Sequence, residues 1–299
     1  MNKIPVGKTI AEAYRFTFAQ VERVIGVIWL PILILTVGGY FIMGPYLSAE
    51  SAALNGDLSQ LGPAMASLFA FEIVSLVLTA VAGVAVTREI LSPLQRPLFL
   101  RFSLGATEMR LAGAYVGLIV LTILFVIAVI LIAAVAGAAL GALLPATPGL
   151  KGAERAIGAG ALIGVCFAPV LIYFLVRLGF LVAPSVVIEG RFGIERSWQL
   201  TKGNFWRIVG ISLAAALPIL IVTGVVEFII LGPDYFQHSM AVFGDRAQQA
   251  SHSAAQIRIV AAKLPFLMGL SFVLAPFTYG LTFAAPAFAY RALIGQPQQ

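Results

Sequence analysis

Charge is what this chain has least of: Asp, Glu, Lys and Arg make up 11% of its 299 residues. A soluble domain carries about 25%, and a chain so poor in charge cannot coat a surface that faces water. Lipid is therefore the solvent for most of it. Cysteine is nearly absent. Cys166 stands alone inside an apolar run, which excludes an internal disulfide and a cysteine-based metal site and leaves a small packing residue. Histidine is scarce as well. His238 and His252 share an outer loop with Asp234 and Asp245 but lack a tight i,i+4 pairing, so they read as solvated loop residues and no metal is expected. Ser185 and Ser197 have no histidine on their side of the membrane, so no catalytic triad is available. Gly7-Lys8-Thr9 echoes the end of a phosphate-binding loop, yet Asn2 occupies the first required glycine position and no strand precedes it. No enzyme and no cofactor are expected.

What is present is apolar: 60% of residues are hydrophobic and the mean hydropathy is +0.99. The runs read as six spans, at roughly 24–43, 64–86, 111–144, 157–181, 207–231 and 264–289. The expected fold is all-α, a single polytopic membrane domain with short amphipathic interfacial helices. The third run is about 51 Å long at 1.5 Å per residue, so it must tilt, bend or project beyond the bilayer. Residues 8–22 place Ile10, Tyr14, Phe18 and Val21 on one side of a helix and Lys8, Glu12, Arg15, Ala19 and Glu22 opposite, the pattern of a helix lying flat in the interface. Leu98, Phe102, Gly105 and Met109 suggest a second such helix. Residues 247–263 of the outer loop are also open to helix.

The net charge of +6 resembles a nucleic-acid signal until the positions are read. Thirteen of the nineteen basic residues fall in alternate connections: Lys3, Lys8, Arg15 and Arg23; Arg88, Arg96, Arg101 and Arg110; Arg191, Arg196, Lys202 and Arg207; and Arg291. The other loops carry Lys151, Arg155, Arg246, Arg258 and Lys263. Basic loops stay on the cytoplasmic side, which puts both termini in the cytoplasm and makes membrane lipid, not nucleic acid, the partner of these charges. Arg23, Arg110, Arg177, Arg191, Arg196, Lys202, Trp206 and Arg207 are the expected interfacial anchors and headgroup contacts, with Arg177 snorkelling from inside the fourth span.

Three hairpins, 1–92, 93–190 and 191–299, are related by a weak repeat. An offset of 184 lays Tyr14–Val27 on Trp198–Ile211, matching Thr17 with Thr201, Arg23 with Arg207 and Gly26 with Gly210. Thr87-Arg88-Glu89-Ile90 and Tyr290-Arg291-Ala292-Leu293 look alike where two spans return. Gly113/Gly117, Gly137/Gly141 and Gly160/Gly164 allow close helix approach, within the chain or between copies.

The polar stretch 180–210 carries the most information. Pro184 is placed to end the fourth span. Ile194, Trp198, Thr201 and Phe205 form the membrane-facing stripe of a short helix, with Glu195, Arg196, Gln199 and Lys202 towards water. Gly203 can stop that helix in the left-handed region, and Asn204 is placed to cap the fifth span. Ala183-Pro184, Val187-Ile188-Glu189-Gly190, Glu195-Arg196-Ser197-Trp198 and Leu200-Thr201-Lys202-Gly203-Asn204-Phe205-Trp206 resemble a bacterial family of integral membrane proteins. It comprises the membrane domain found ahead of some glycerophosphodiester phosphodiesterases and its stand-alone relatives, and the matching core covers residues 175–215. The resemblance implies a multi-helix inner-membrane module. The soluble barrel of the fused members, with its carboxylates and paired histidines, has no counterpart here.

An ionisable group in hydrocarbon costs several kcal/mol unless it is served, which singles out Glu72 and Glu227. They either face one outward-open cavity and share a proton or cation, or Glu72 is neutral and hydrogen-bonded to a neighbouring helix. In line with the resemblance, the expected function is a non-enzymatic inner-membrane module in envelope or lipid homeostasis, a scaffold or lipid-handling protein. The alternative is a transporter or channel for a small solute or ion.

Overall fold

The structure is a computed structural model that describes residues 3–92, 103–143, 152–240 and 246–295, without the side chains of 152–156 and 238–250. Among the described residues there is helix and no strand. Ten helices follow in order: α1 (Val6–Ala19), α2 (Val21–Leu54), α3 (Leu61–Leu91), α4 (Ala106–Leu143), α5 (Gly152–Gly179), α6 (Val182–Glu189), α7 (Ile194–Leu200), α8 (Phe205–Leu231), α9 (Pro233–Met240) and α10 (Arg246–Ile294). Six segments are long and apolar enough to cross a membrane, with α5 and α6 together supplying the fourth. The protein is an all-α polytopic membrane protein.

The sixth span differs from the expected one. Residues 246–263 do not form a separate helix in the outer loop but continue into the span, giving α10 49 residues, about 73 Å at 1.5 Å per residue. Pro265, Pro276 and Pro286 lie inside it. Of the outer-loop residues His238, His252, Asp234 and Asp245, the side chains of His238 and Asp245 lie outside the described residues. The proposed interfacial helix through Leu98 and Phe102 lies outside them too.

α10 is the hub, packed against α2, α1, α8 and α3. It runs parallel to α3: Thr79 Oγ1 lies 3.3 Å from the Tyr279 hydroxyl, and one turn on the Phe283 ring sits over Gly83, where a Cβ would approach to 2.6 Å. The buried core follows this seam, with Ala80, Ala82, Val84, Leu281, Ala284, Ala287 and Tyr290 almost inaccessible. Sequential spans pair as hairpins, α2 with α3, α4 with α5 and α8 with α10. The α4–α5 pair is peripheral, and most of its apolar side chains face outward. Several of its glycines serve internal packing, whereas Gly164 faces open space. Gly160 lies so close to α4 that a Cβ would stand 2.9 Å from the Ala133 carbonyl oxygen, while Gly113 and Gly117 receive Phe192 and Ile194.

α1 is not a flat surface helix. Ile4 N–H donates to Asn204 Oδ1 (3.1 Å), and ten residues further along each chain the Tyr14 hydroxyl donates to the Ala214 carbonyl (2.7 Å). α1 therefore follows α8 in the same direction into the bundle. Its buried stripe is Thr9, Ala13, Phe16 and Thr17 rather than the Ile10–Tyr14–Phe18 line. The stripe faces α10, where Phe16 meets Phe288 edge-on and Thr17 lies against Gly280. On the α8 side, Pro218 has no N–H to give the carbonyl four residues earlier, so Ala214 is free to accept from Tyr14. Burial pushes the Tyr14 phenol above its ordinary pKa, which keeps it a donor.

Candidate functional site

The segment 177–207 builds one end of the bundle. α5 stops at Gly179, and α6 resumes at Val182. At the break, Leu181 N–H donates to Ser197 Oγ (3.2 Å), and that hydroxyl donates to the Arg177 carbonyl (2.9 Å). A side chain from α7 thus stands in for one rung of the helix ladder, one of the recognised causes of a kink. Pro184 does not end the span. It occupies the first turn of α6, where its missing N–H costs little.

Arg177 is buried, at 7% exposure, and does not snorkel. Its Nη1 donates to the Tyr173 hydroxyl (2.8 Å), Nη2 to the Trp198 carbonyl (2.7 Å) and Nε to Thr201 Oγ1 (3.3 Å). The guanidinium carbon lies 3.6 Å from the centroid of the Trp198 ring, which also stacks on Phe174. Arg177 is consequently a pin holding α5 to α7, and Thr201, expected on the membrane stripe, is buried beneath it. Gly203 does take up a left-handed φ of +76°. Asn204 makes no side-chain cap on α8, because its oxygen is used by Ile4.

The remaining anchors gather at this same end. Arg207 Nη1 donates to the Ile4 carbonyl (2.9 Å), and Arg196 pairs with Glu189 (2.7 Å), which also accepts from the Tyr290 hydroxyl (3.0 Å). The Arg110 guanidinium lies beside Gly190, the C-cap of α6. Arg291 pairs with Glu12 (3.3 Å), and Arg88 with Glu108 (2.9 Å). Arg23, Arg191, Lys202 and Trp206 are exposed, Trp206 at 80%. Contacts between distant parts of the chain therefore bring together at one end the basic residues that alternate along the sequence. Glu108 was not singled out in the sequence. It is buried, accepts from Ser103 Oγ and Arg88, and reaches back to Gly105 N–H three residues earlier. The signal was there, since a glutamate three residues into a helix is one half of a capping box.

Glu72 is exposed on α3 beside Phe69 and Ile73, Glu227 is half-buried on α8, and neither lines the cavities described here. The expected hydrogen bond from Glu72 to a neighbouring helix is not seen either. Among the described residues, no three His, Cys, Asp or Glu side chains converge as a metal site would require.

A lateral opening lies elsewhere. α4 packs on α5, α3 and α6 without extensive packing on α8 or α10. The gap is a cavity of about 390 Å³ lined by Tyr115 from α4, Phe180 and Ala183 at the α5–α6 break, Ser212, Ala216 and Leu220 from α8, and Thr278, Thr282 and Pro286 from α10. Counting turns from the basic end, Ser212 sits about 10 Å, Tyr115 about 13 Å and Thr282 about 18 Å along the helices. This is hydrocarbon depth. The walls are apolar with a few hydroxyls and, among the described residues, hold no charged residue. Two purely apolar grooves flank it. One, of about 310 Å³, runs between α4 and α5 down to Trp198, and another, of about 250 Å³, lies between α1, α8 and α10. An arrangement of this kind can receive a lipophilic molecule from the side and hydrogen-bond an uncharged polar group within it.

Comparison with family models, with curated proteins and with solved structures found no match to this chain.

Proposed function

We propose that the protein is a non-enzymatic module of the bacterial inner membrane that handles lipid, with both termini and the basic end of the bundle in the cytoplasm. The observation that carries this reading is the lateral cavity between α4, α6, α8 and α10, at acyl-chain depth and without a charge among the described residues of its walls. The flanking apolar grooves support it, as does the cluster of exposed cations at one end, where anionic headgroups would be met. The resemblance of residues 175–215 to the stand-alone membrane family supports the bacterial inner membrane as its place. The exposed position of Glu72 weighs against a transport path built on that residue.

The test is purification of the full chain in mild detergent with identification of bound lipids, alongside reconstitution into liposomes. The expected result is lipid retained through size exclusion and no ion or solute flux above empty liposomes. Flux with no retained lipid would overturn the proposal in favour of a transporter.

A further inference from the structure

The lipid-handling reading leaves the ligand open, and the chemistry of the cavity narrows it. Among the described residues, the hydroxyls of Tyr115, Ser212 and Thr282 have no hydrogen-bond partner, whereas Thr278 is occupied by the Leu274 carbonyl (3.1 Å). Pro286 also lines the cavity. It has no N–H to offer the Thr282 carbonyl four residues earlier, so that carbonyl lacks its helical donor. The wall therefore offers three hydroxyl donors and one freed backbone acceptor, all at hydrocarbon depth. No described lysine, arginine or histidine lines it.

A phosphate drawn to this depth would lose its hydration and find no countercharge, at a cost of several kcal/mol. A lone fatty chain would leave the hydroxyls unserved. Their complement is a neutral molecule with several acceptor oxygens and one donor. We infer that the cavity between α4, α6, α8 and α10 is a binding site for diacylglycerol, whose two ester carbonyls would accept from Tyr115, Ser212 and Thr282 while its free hydroxyl donates to the Thr282 carbonyl. The volume suits the glycerol ester region alone. The gap between α4 and α8 leaves the two acyl chains in the bilayer, so the ligand enters and leaves sideways. This inference rests on the lipid-handling reading and goes further by naming the lipid class.

The experiment uses the full chain in nanodiscs of phosphatidylglycerol and phosphatidylethanolamine. Three probes carry the same diazirine-labelled acyl chains: diacylglycerol, its 3-O-methyl ether and phosphatidylglycerol. Diacylglycerol is expected to label α4, α8 and α10 around the cavity about tenfold more than either control, the discrimination of roughly one buried hydrogen bond or more. Ala216→Phe, which fills the cavity from an exposed position on α8, should reduce labelling to background. Tyr115→Phe and Thr282→Val each remove one hydroxyl without altering bulk and should reduce it severalfold, which keeps the test decisive if Ala216→Phe fails to fold. Equal labelling by phosphatidylglycerol would overturn the diacylglycerol site while leaving lipid handling intact. Diacylglycerol labelling indifferent to all three substitutions would overturn it too. Absence of labelling by any probe, with no co-purified lipid, would overturn both readings.

Discussion

Replacing Tyr14 by phenylalanine removes one oxygen, and the bundle should register it because Pro218 has left the Ala214 carbonyl without its helical donor. The 2.7 Å bond from the Tyr14 hydroxyl serves that carbonyl in wild type. A buried acceptor left unserved costs about 1–3 kcal/mol, and interhelical hydrogen bonds in membranes average about 0.6 with a maximum near 1.7 kcal/mol. The expected loss for Tyr14→Phe is thus about 1–1.5 kcal/mol. In a Pro218→Ala background the restored N–H can bond Ala214, and the same substitution should cost less than about 0.5 kcal/mol. The coupling between the two sites should be about 1 kcal/mol, measured as a double-mutant cycle by reversible unfolding in mixed micelles with tryptophan fluorescence. The pH must be chosen with the phenol in mind. Its folded pKa is raised above the ordinary 10, so its contribution is fully present below pH 10 and is lost as pH rises through the folded value. Measurement at pH 7.5 keeps the donor intact. If Tyr14→Phe costs the same in both backgrounds, the proline is not what makes the tyrosine necessary, and this account of α1 docking fails.

Three further outcomes are expected. Arg177→Lys keeps the charge but loses the planar fork and the stack on Trp198, so it should destabilise by about 2 kcal/mol in the same assay; behaviour like wild type would show that the pin acts through charge alone. Gly193 has a φ of +72°, and a Cβ there would lie 2.9 Å from the Val182 carbonyl oxygen, so Gly193→Ala should cost at least about 1–3 kcal/mol and loosen α6 from α7 in hydrogen exchange. Reporter fusions should place Gly190–Lys202 on the cytoplasmic side and Asn55 on the opposite one; both on one side would reverse the topology drawn from the basic residues.

Much of this molecule was readable from composition and hydrophobic pattern, but the jobs of individual polar residues were not. Six spans were legible because an apolar run longer than about 17 residues has few stable alternatives to a membrane helix. Asn204 was misread as a helix cap because capping is a local rule, and its actual partner, Ile4, lies 200 residues away in sequence. Arg177 was misread as a snorkelling cation because depth alone does not reveal that Tyr173, Trp198 and Thr201 would surround it. α1 carried a sound amphipathic pattern. Yet the same pattern fits a helix on a headgroup surface and a helix packed on α8 and α10, and contacts with Asn204, Arg207, Ala214 and Phe288, all far away in sequence, distinguish them. Glu72 and Glu227 drew attention by cost in hydrocarbon, but a cost marks a residue without supplying it a partner.

The amino-acid sequence alone determined the solvent, the helical class and the alternation of basic and uncharged connections, because each follows from the transfer free energy of short segments taken one at a time. Tertiary structure decided which prolines leave carbonyls open, which hydroxyls fill them, and where α4 stands off from α8 and α10 to leave a cavity. Those features depend on pairings between residues far apart in the chain, and no local free energy specifies them.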